Sequence, residues 1–245
     1  MSDTRLAGCM CWHYDAAKTF KHADALAELC AVCDEVFLLD DKSDPPINAP
    51  EFFSKYANLQ SVIRLDERDH HWNDWTNHNT LMLAAAKRRC NYILWLDDDE
   101  SIYPRADRGL FDPLLDELKR NPCSVAMSLH WDHVWNEVGK IRVDGEWSRL
   151  RKPFLQKNPF FTSGMICFQN TPLTRIHSWP IQSGTVLLND TVHVLHYALM
   201  TSEDRTSHRD KYVKHDPQNE FALANYKMWE YMKDVGNPNP ELKDV

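Results

Sequence analysis

The stretch Asn91-Tyr92-Ile93-Leu94-Trp95-Leu96-Asp97-Asp98-Asp99-Glu100 runs five large apolar residues into four consecutive carboxylates. An apolar run this short, without helical spacing, predicts a strand buried on both faces. The acids then stand just past its carboxyl end, where open α/β sheets bind ligands. Carboxylates this close repel one another unless a cation or hydrogen-bond donors compensate. The alternating pair Asp97 and Asp99 offers hard oxygen ligands of the kind Mg²⁺ and Mn²⁺ take, with positions left open for phosphate oxygens. The competing reading is a helix cap or a solvated turn, since acids favour helix starts. One cap residue suffices for that, and four acids exceed it.

Upstream, the pattern alternates strand and helix. Residues 6–11 read as a first strand, and residues 16–32 as a helix with Phe20, Ala23, Ala27 and Cys30 on one stripe. Residues 35–39 read as a second strand, ending in the turn Asp40-Asp41-Lys42-Ser43-Asp44-Pro45-Pro46. An acid there suits a ribose hydroxyl or a base edge, and it equally suits plain turn chemistry. A short helix over 52–57, a strand over 61–65 and a helix over 75–89 with Leu81, Met82, Ala85 and Ala86 on its apolar face lead back to the opening stretch. Strand, helix and strand in this order predict a parallel sheet with right-handed crossovers.

Downstream, residues 110–118 give the clearest helix, through Leu110, Phe111, Leu114, Leu115 and Leu118. Residues 123–130, 141–144, 161–168, 185–188 and 192–197 read as strands, and residues 220–233 as a helix. The whole is read as one domain over residues 1–235. Residues 1–122 are the alternating half and 123–216 the β-richer half, with a C-terminal helix in 217–235 and a loose tail over 236–245.

The chain of 245 residues carries a formal charge of −8, which excludes a general electrostatic footprint for nucleic acid. Its seven cysteines include the pairs Cys9/Cys11 and Cys30/Cys33, which lie within apolar patterns and read as structural thiols rather than zinc ligands. With neither a signal peptide nor a membrane-length apolar run in the sequence, a reducing cytoplasm is expected.

Three segments, in order, resemble motifs of family 2-like glycosyltransferases of the GT-A fold. Leu38-Leu39-Asp40-Asp41-Lys42-Ser43-Asp44 is similar to their acidic turn after the second strand. Asn79-Thr80-Leu81-Met82-Leu83-Ala84-Ala85-Ala86 is similar to a helix that opens on Arg-Asn, with His78 here in place of the Arg. Residues 93–100 resemble the strand and DxD metal motif. Arg142-Val143-Asp144-Gly145-Glu146-Trp147, and His196-Tyr197 followed by Arg209 and Tyr212, resemble downstream elements of a subset. A Lys-Asn-Glu triplet common after the first strand is replaced by Trp12-His13-Tyr14-Asp15. Both departures fall near the expected donor site.

The resemblance implies a Rossmann-like, mixed but mostly parallel sheet flanked by helices, with a β-richer acceptor half. It implies a hexosyl- or pentosyltransferase using a nucleoside-diphosphate sugar. Asp40, Asp41, His78 and Asn79, with Asp97 and Asp98, would contact that donor. Asp97 and Asp99 would hold Mn²⁺ or Mg²⁺. His196 is either a third ligand, a role imidazole suits for Mn²⁺, or a core histidine. An inverting transfer needs a general base; Asp132, in His130-Trp131-Asp132-His133, and Asp144 are the candidates, and a retaining transfer needs none. The clusters Arg149/Arg151/Lys152 and Arg205/Arg209/Lys211 suit a diphosphate or a solvated face. The acceptor stays open among a glycan, a lipid-linked precursor, a protein and a modified DNA base. A non-catalytic sugar- or nucleotide-binding module and a nucleotidyltransferase are the competing readings, the latter weakened by the lack of a Gly-rich basic loop after the first strand.

Overall fold

The computed structural model describes residues 4–12, 24–41, 43–64, 74–162, 166–169, 179–215 and 240–245. The helix read over 220–233, the polar segment 66–73 and the start of the helix read from residue 16 lie outside them.

The first half alternates as its apolar periods predict: β1 (Leu6–Trp12), α1 (Ala25–Val32), β2 (Glu35–Asp40), α2 (Ala49–Lys55), β3 (Leu59–Arg64), α3 (Asp74–Lys87) and β4 (Tyr92–Trp95). All six residues of β2 and all four of β4 are buried, as continuous apolar strands covered on both faces should be. Then come β5 (Glu100–Tyr103), α4 (Arg108–Arg120), β6 (Ser124–His133), β7 (Lys140–Arg142), β8 (Arg151–Lys157), β9 (Ile166–Gln169), β10 (Trp179–Gln182), β11 (Thr185–His196), α5 (Ser202–His215) and β12 (Leu242–Asp244).

Eight strands form one sheet in the order β3-β2-β1-β4-β8-β6-β11-β5. The pairs β1–β2, β1–β4, β2–β3 and β6–β11 are parallel, whereas β4–β8, β6–β8 and β5–β11 are antiparallel. The carboxyl ends of β1, β2, β3, β4, β6 and β11 therefore share one edge. Only Leu96 to Asp99 join β4 to β5, although β8, β6 and β11 stand between them in sheet order. So short a link, at most roughly 18 Å fully extended, cannot cross the four strand spacings of a flat sheet, roughly 19 Å. The sheet curls, and β5 returns beside the end of β4.

Phe111, Leu114, Leu115 and Leu118 of α4 and Leu26, Leu29 and Val32 of α1 join the strands in the main apolar core. Gly8 allows that approach: a Cβ there would stand 3.1 Å from both Leu29 Cβ and Cys33 Sγ. Cys9, Cys33 and Cys90 are buried free thiols.

Several elements depart from the sequence reading. The strand β8 lies at the centre of the sheet, in a stretch that the sequence marks only by the basic cluster Arg149/Arg151/Lys152. Its Pro153 masked it, and proline is tolerated here because the register shifts between Leu155↔Met127 and Lys152↔Leu129, leaving a bulge around it. The two strands expected at 185–188 and 192–197 are one, β11, irregular between Leu188 and His193. The tail expected to be loose ends in β12, which pairs antiparallel with β7; the Val245 amide donates to Gly139 O at 3.0 Å. Two prolines suggested a frayed end, but a three-residue ladder and the Lys140–Asp244 ion pair hold it.

Helix α1 is tied to edge strand β5 by the Ile102 amide, which donates to Glu28 Oε2 at 2.6 Å. Burial pushes the Glu28 carboxyl up to about 7; the Ile102 hydrogen bond opposes the rise and nearby Asp24 adds to it. A folded value above the unfolded one means that Glu28's contribution to stability is present below about 4.5 and lost as pH rises through about 7. In thermal melts the wild type should lose ground to Glu28→Gln progressively from pH 4.5 to pH 8. A difference independent of pH would contradict this origin.

Candidate functional site

The four acids are divided by their places in the chain. Asp97 to Asp99 form the turn out of β4, closed by the Glu100 amide donating to Asp97 O at 3.2 Å. They are partly exposed, whereas Glu100, the first residue of β5, is fully buried. A buried carboxylate needs compensation. Glu100 receives the Trp131 indole N–H at 2.8 Å and the Lys152 ammonium at 3.3 Å on Oε1, and the Asp97 amide at 2.9 Å on Oε2. Lys152 also lies 3.9 Å from Asp97 Oδ2 and 3.7 Å above the centre of the Trp131 ring. Glu100 is thus the inner anchor of the loop, joining β5 to β6 and β8, and it leaves Asp97, Asp98 and Asp99 to face outward.

His196, the last residue of β11, reaches the same loop. Register places it beside Glu100 on one side and His133 on the other. Its Nε2 lies 3.6 Å from Asp99 Oδ2, its Nδ1 lies 3.0 Å from His133 Nδ1, and the Tyr197 amide donates to Asp99 O at 2.9 Å. Trp131, His133 and His196 pack ring against ring, with centroids 4.4 to 4.7 Å apart. Asp99 and His196 therefore meet at one sheet edge, from motifs about a hundred residues apart, with Asp97 in the same turn. That donor set suits Mn²⁺ or Mg²⁺.

The other residues singled out in the sequence fall into three groups. The first is at the ends of β1 and β2. Asp40, 1% exposed, accepts from the Ser43 amide at 2.9 Å, the Ile47 amide at 3.2 Å and Arg64 at 2.6 Å. Burial alone would raise its pKa, but the Ser43 hydrogen bonds, the Ile47 amide and Arg64 together hold it below the usual carboxylate range. Asp40 is therefore bound into the turn that shapes this end of the sheet. Asp41 is also buried, with Asn77 Nδ2 3.5 Å from its Oδ2. His78 is buried edge-on against Trp95, centroids 4.5 Å apart, and Asn79 is half-buried. Asn77 of α3, two residues before the Asn79 singled out from the sequence, thus meets the acidic turn.

The second group is Asp132. Along β6, His130 and Asp132 alternate with Trp131 and His133, so Asp132 points to the sheet face opposite Glu100 and His196. There its Oδ2 lies 2.5 Å from His193 Nδ1. The third is Asp144, which is gripped by Arg142 through Nε–Oδ1 at 2.6 Å and Nη2–Oδ2 at 2.8 Å. Arg142 is fully buried, with its guanidinium over Trp135 and Trp147 at 4.7 and 4.5 Å. That hydrogen-bonded clamp, against some burial, holds the Asp144 carboxyl below the usual range. Of the two basic clusters, Lys152 enters the site, Arg151 pairs with Asp190 on the opposite face, and Arg205 lies over Trp135 at 4.4 Å.

Lys152, Trp131 and Glu100 act as a unit, and that unit can be tested. Lys152→Met leaves a buried carboxylate with less compensation and should cost about 3–5 kcal/mol. Lys152→Met combined with Glu100→Gln should recover most of that loss in denaturant melts. Additive losses in the double variant would show that the pair is not coupled.

Among solved structures, S. aureus TarS 1–349 aligns with 95% of this chain and 73% of its own, at 12% identity and a TM-score of 0.51. TarS 1–349 in complex with UDP aligns with 94% of this chain and 71% of its own, at 13% identity and 0.49. GalNAc-T7 with UDP, GalNAc and Mn²⁺ aligns with 80% of this chain and 44% of its own, at 12% identity and 0.42. No family model and no curated protein sequence matches the chain. At such identities the likeness concerns architecture alone, and the 0.51 alignment carries it. Together with the strand order and the shared carboxyl edge, it gives this chain the GT-A fold.

Proposed function

We propose that this chain is a metal-dependent glycosyltransferase that moves a hexosyl or pentosyl group from a nucleoside-diphosphate sugar to an acceptor hydroxyl. The observation that supports the reading is the meeting of Asp99, in the same turn as Asp97, with His196, whose Nε2 is 3.6 Å from Asp99 Oδ2 at the carboxyl edge of the sheet. Asp97, Asp99 and His196 would hold Mn²⁺ or Mg²⁺. When bound, that cation offsets the charge that develops on a departing diphosphate. Lys152, 3.9 Å from Asp97, adds a fixed positive charge at the same edge. Asp98, part-exposed in the same turn, would contact the donor. At the ends of β1 and β2, Asp40 keeps the turn in shape while Asp41, Asn77, His78 and Asn79 form the adjoining wall, in keeping with a nucleoside lying over these strands. The TarS and GalNAc-T7 structures that hold UDP are consistent with such a donor, as is the Mn²⁺ in the latter.

Two features bear on the acceptor side. Asp132 faces the far side of the sheet and Asp144 is clamped by Arg142. Both placements argue against either carboxylate as the base that takes the acceptor proton. The acceptor itself, whether a glycan, a lipid-linked precursor, a protein or a modified base, would enter over the half built from β6, β8 and β11.

The direct test is donor turnover. UDP-, GDP- and dTDP-sugars, screened by thermal shift and hydrolysis with Mn²⁺, should yield one donor that stabilises the chain and is consumed. Asp97→Asn and Asp99→Asn should each lower that rate about 10²-fold or more, the scale of losing one preorganised contact to a developing charge. Full activity in both variants, or turnover unchanged by a chelator, would overturn the assignment.

A further inference from the structure

The sheet face turned away from the acidic loop carries a second cluster that the donor site does not use. Register sets His193 of β11 beside His130 of β6, and Leu195 beside Asp132, so these side chains share that face. The two imidazoles stack with centroids 4.6 Å apart and planes within 8°. His193 Nδ1 lies 2.5 Å from Asp132 Oδ2, and one ligand atom from each of His130, Asp132 and His193 lies within 4.8 Å of the others. Asp132 is buried, whereas the histidine side chains keep 19% and 27% of their surface exposed. Tyr103 packs edge-on against His193, centroids 6.2 Å apart. On the other flank, His130 Nε2 stands 3.3 Å from Asp190 Oδ1 and 2.9 Å from Arg151 Nη2, and Arg151 is ion-paired with Asp190.

We propose that His130, Asp132 and His193 form a second cation site, separate from the acidic loop and selective for a zinc-type ion. Two imidazoles and one carboxylate are the donor set of open zinc sites, with a fourth position left for water or a substrate group. Mg²⁺, by contrast, prefers oxygen ligands and fits the Asp97–Asp99 turn better. In a tetrahedral shell the ligand atoms stand roughly 3.3 Å apart for metal–ligand bonds of about 2.0–2.1 Å. The present 4.8 Å spread closes by rotation of two part-exposed imidazoles about a fixed, buried Asp132. Asp190 beside His130 Nε2 is the outer carboxylate that commonly orients a ligand imidazole, and Arg151 fixes Asp190 in turn. Neutral His130 either accepts from Arg151 or donates to Asp190, and the second arrangement leaves its other nitrogen for the ion.

The test uses the whole chain, stripped with a chelator and then titrated with Zn²⁺ and with Co²⁺. Equilibrium dialysis and Co²⁺ visible absorption compare the wild type, Asp97→Asn/Asp99→Asn and His130→Gln/His193→Gln. The acidic-loop variant should keep a single Zn²⁺ and the intense absorption of low-coordinate Co²⁺. The histidine variant should lose both while still taking up Mn²⁺. A wild type that binds no Zn²⁺, a histidine variant that binds it unchanged, or an acidic-loop variant that loses it entirely would overturn the site. Should the histidine variant fail to fold, zinc-edge X-ray absorption of the acidic-loop variant decides: imidazole ligands support the site and their absence refutes it. None of these readouts depends on transferase activity, so the second site can fail while the proposed function stands.

Discussion

A buried negative charge sets the arrangement of this molecule's working edge. Glu100 has no contact with solvent, and it must be held by donors from three directions. The Trp131 indole, the Lys152 ammonium and the Asp97 amide meet that demand from β6, β8 and the end of β4. Each of these contacts also fixes geometry. Together they force the last strand of the curled sheet back against the first parallel unit and hold the turn of Asp97, Asp98 and Asp99 open to the outside. Of the quartet, Glu100 is buried and the other three are part-exposed. His196 then reaches the turn because β5 and β11 are in register at Glu100.

The two faces of β6 and β11 divide the chemistry. Strand alternation sends Trp131, His133 and His196 toward the acidic turn and sends His130, Asp132 and His193 the other way. A sequence such as His130-Trp131-Asp132-His133 looks like a single polar cluster, but a strand splits it into two. This is why Asp132, an attractive base candidate when read in a line, sits with His193 rather than with Asp99. Asp144, a candidate only as an acid downstream of the DxD motif, has its carboxylate taken by Arg142, two residues away on the same strand-to-turn segment.

The first half of the fold was legible because its elements carry their own signal. The apolar runs of β1, β2 and β4 and the stripe of α4 need no partner to be recognised. The second half depends on pairing that composition does not announce. Strand β8 contains Pro153, which reads as a break until the bulge opposite Ser128 is seen. Strand β11 carries Asn189 and Asp190, which look like a turn between two strands. Helix α5 has almost no apolar stripe, and β12 has only three residues. For the site, the order of the three early motifs marked the acidic loop, and the apolar run before His196 marked the strand that delivers it. Lys152 was visible only as one of several basic residues; its role comes from a neighbour, Glu100, 52 positions away.

In the proposed reading, the turn after β4 and the end of β11 close on one divalent cation. Anomalous diffraction from crystals soaked in Mn²⁺ and a nucleoside diphosphate tests it most directly. A single strong manganese peak is expected at bonding distance, about 2.0–2.3 Å, from carboxylates of Asp97 and Asp99 and from the His196 ring, with diphosphate oxygens completing the shell. A map with no peak at this edge, or with manganese bound while His196 stays hydrogen-bonded to His133 and away from the ion, would contradict it.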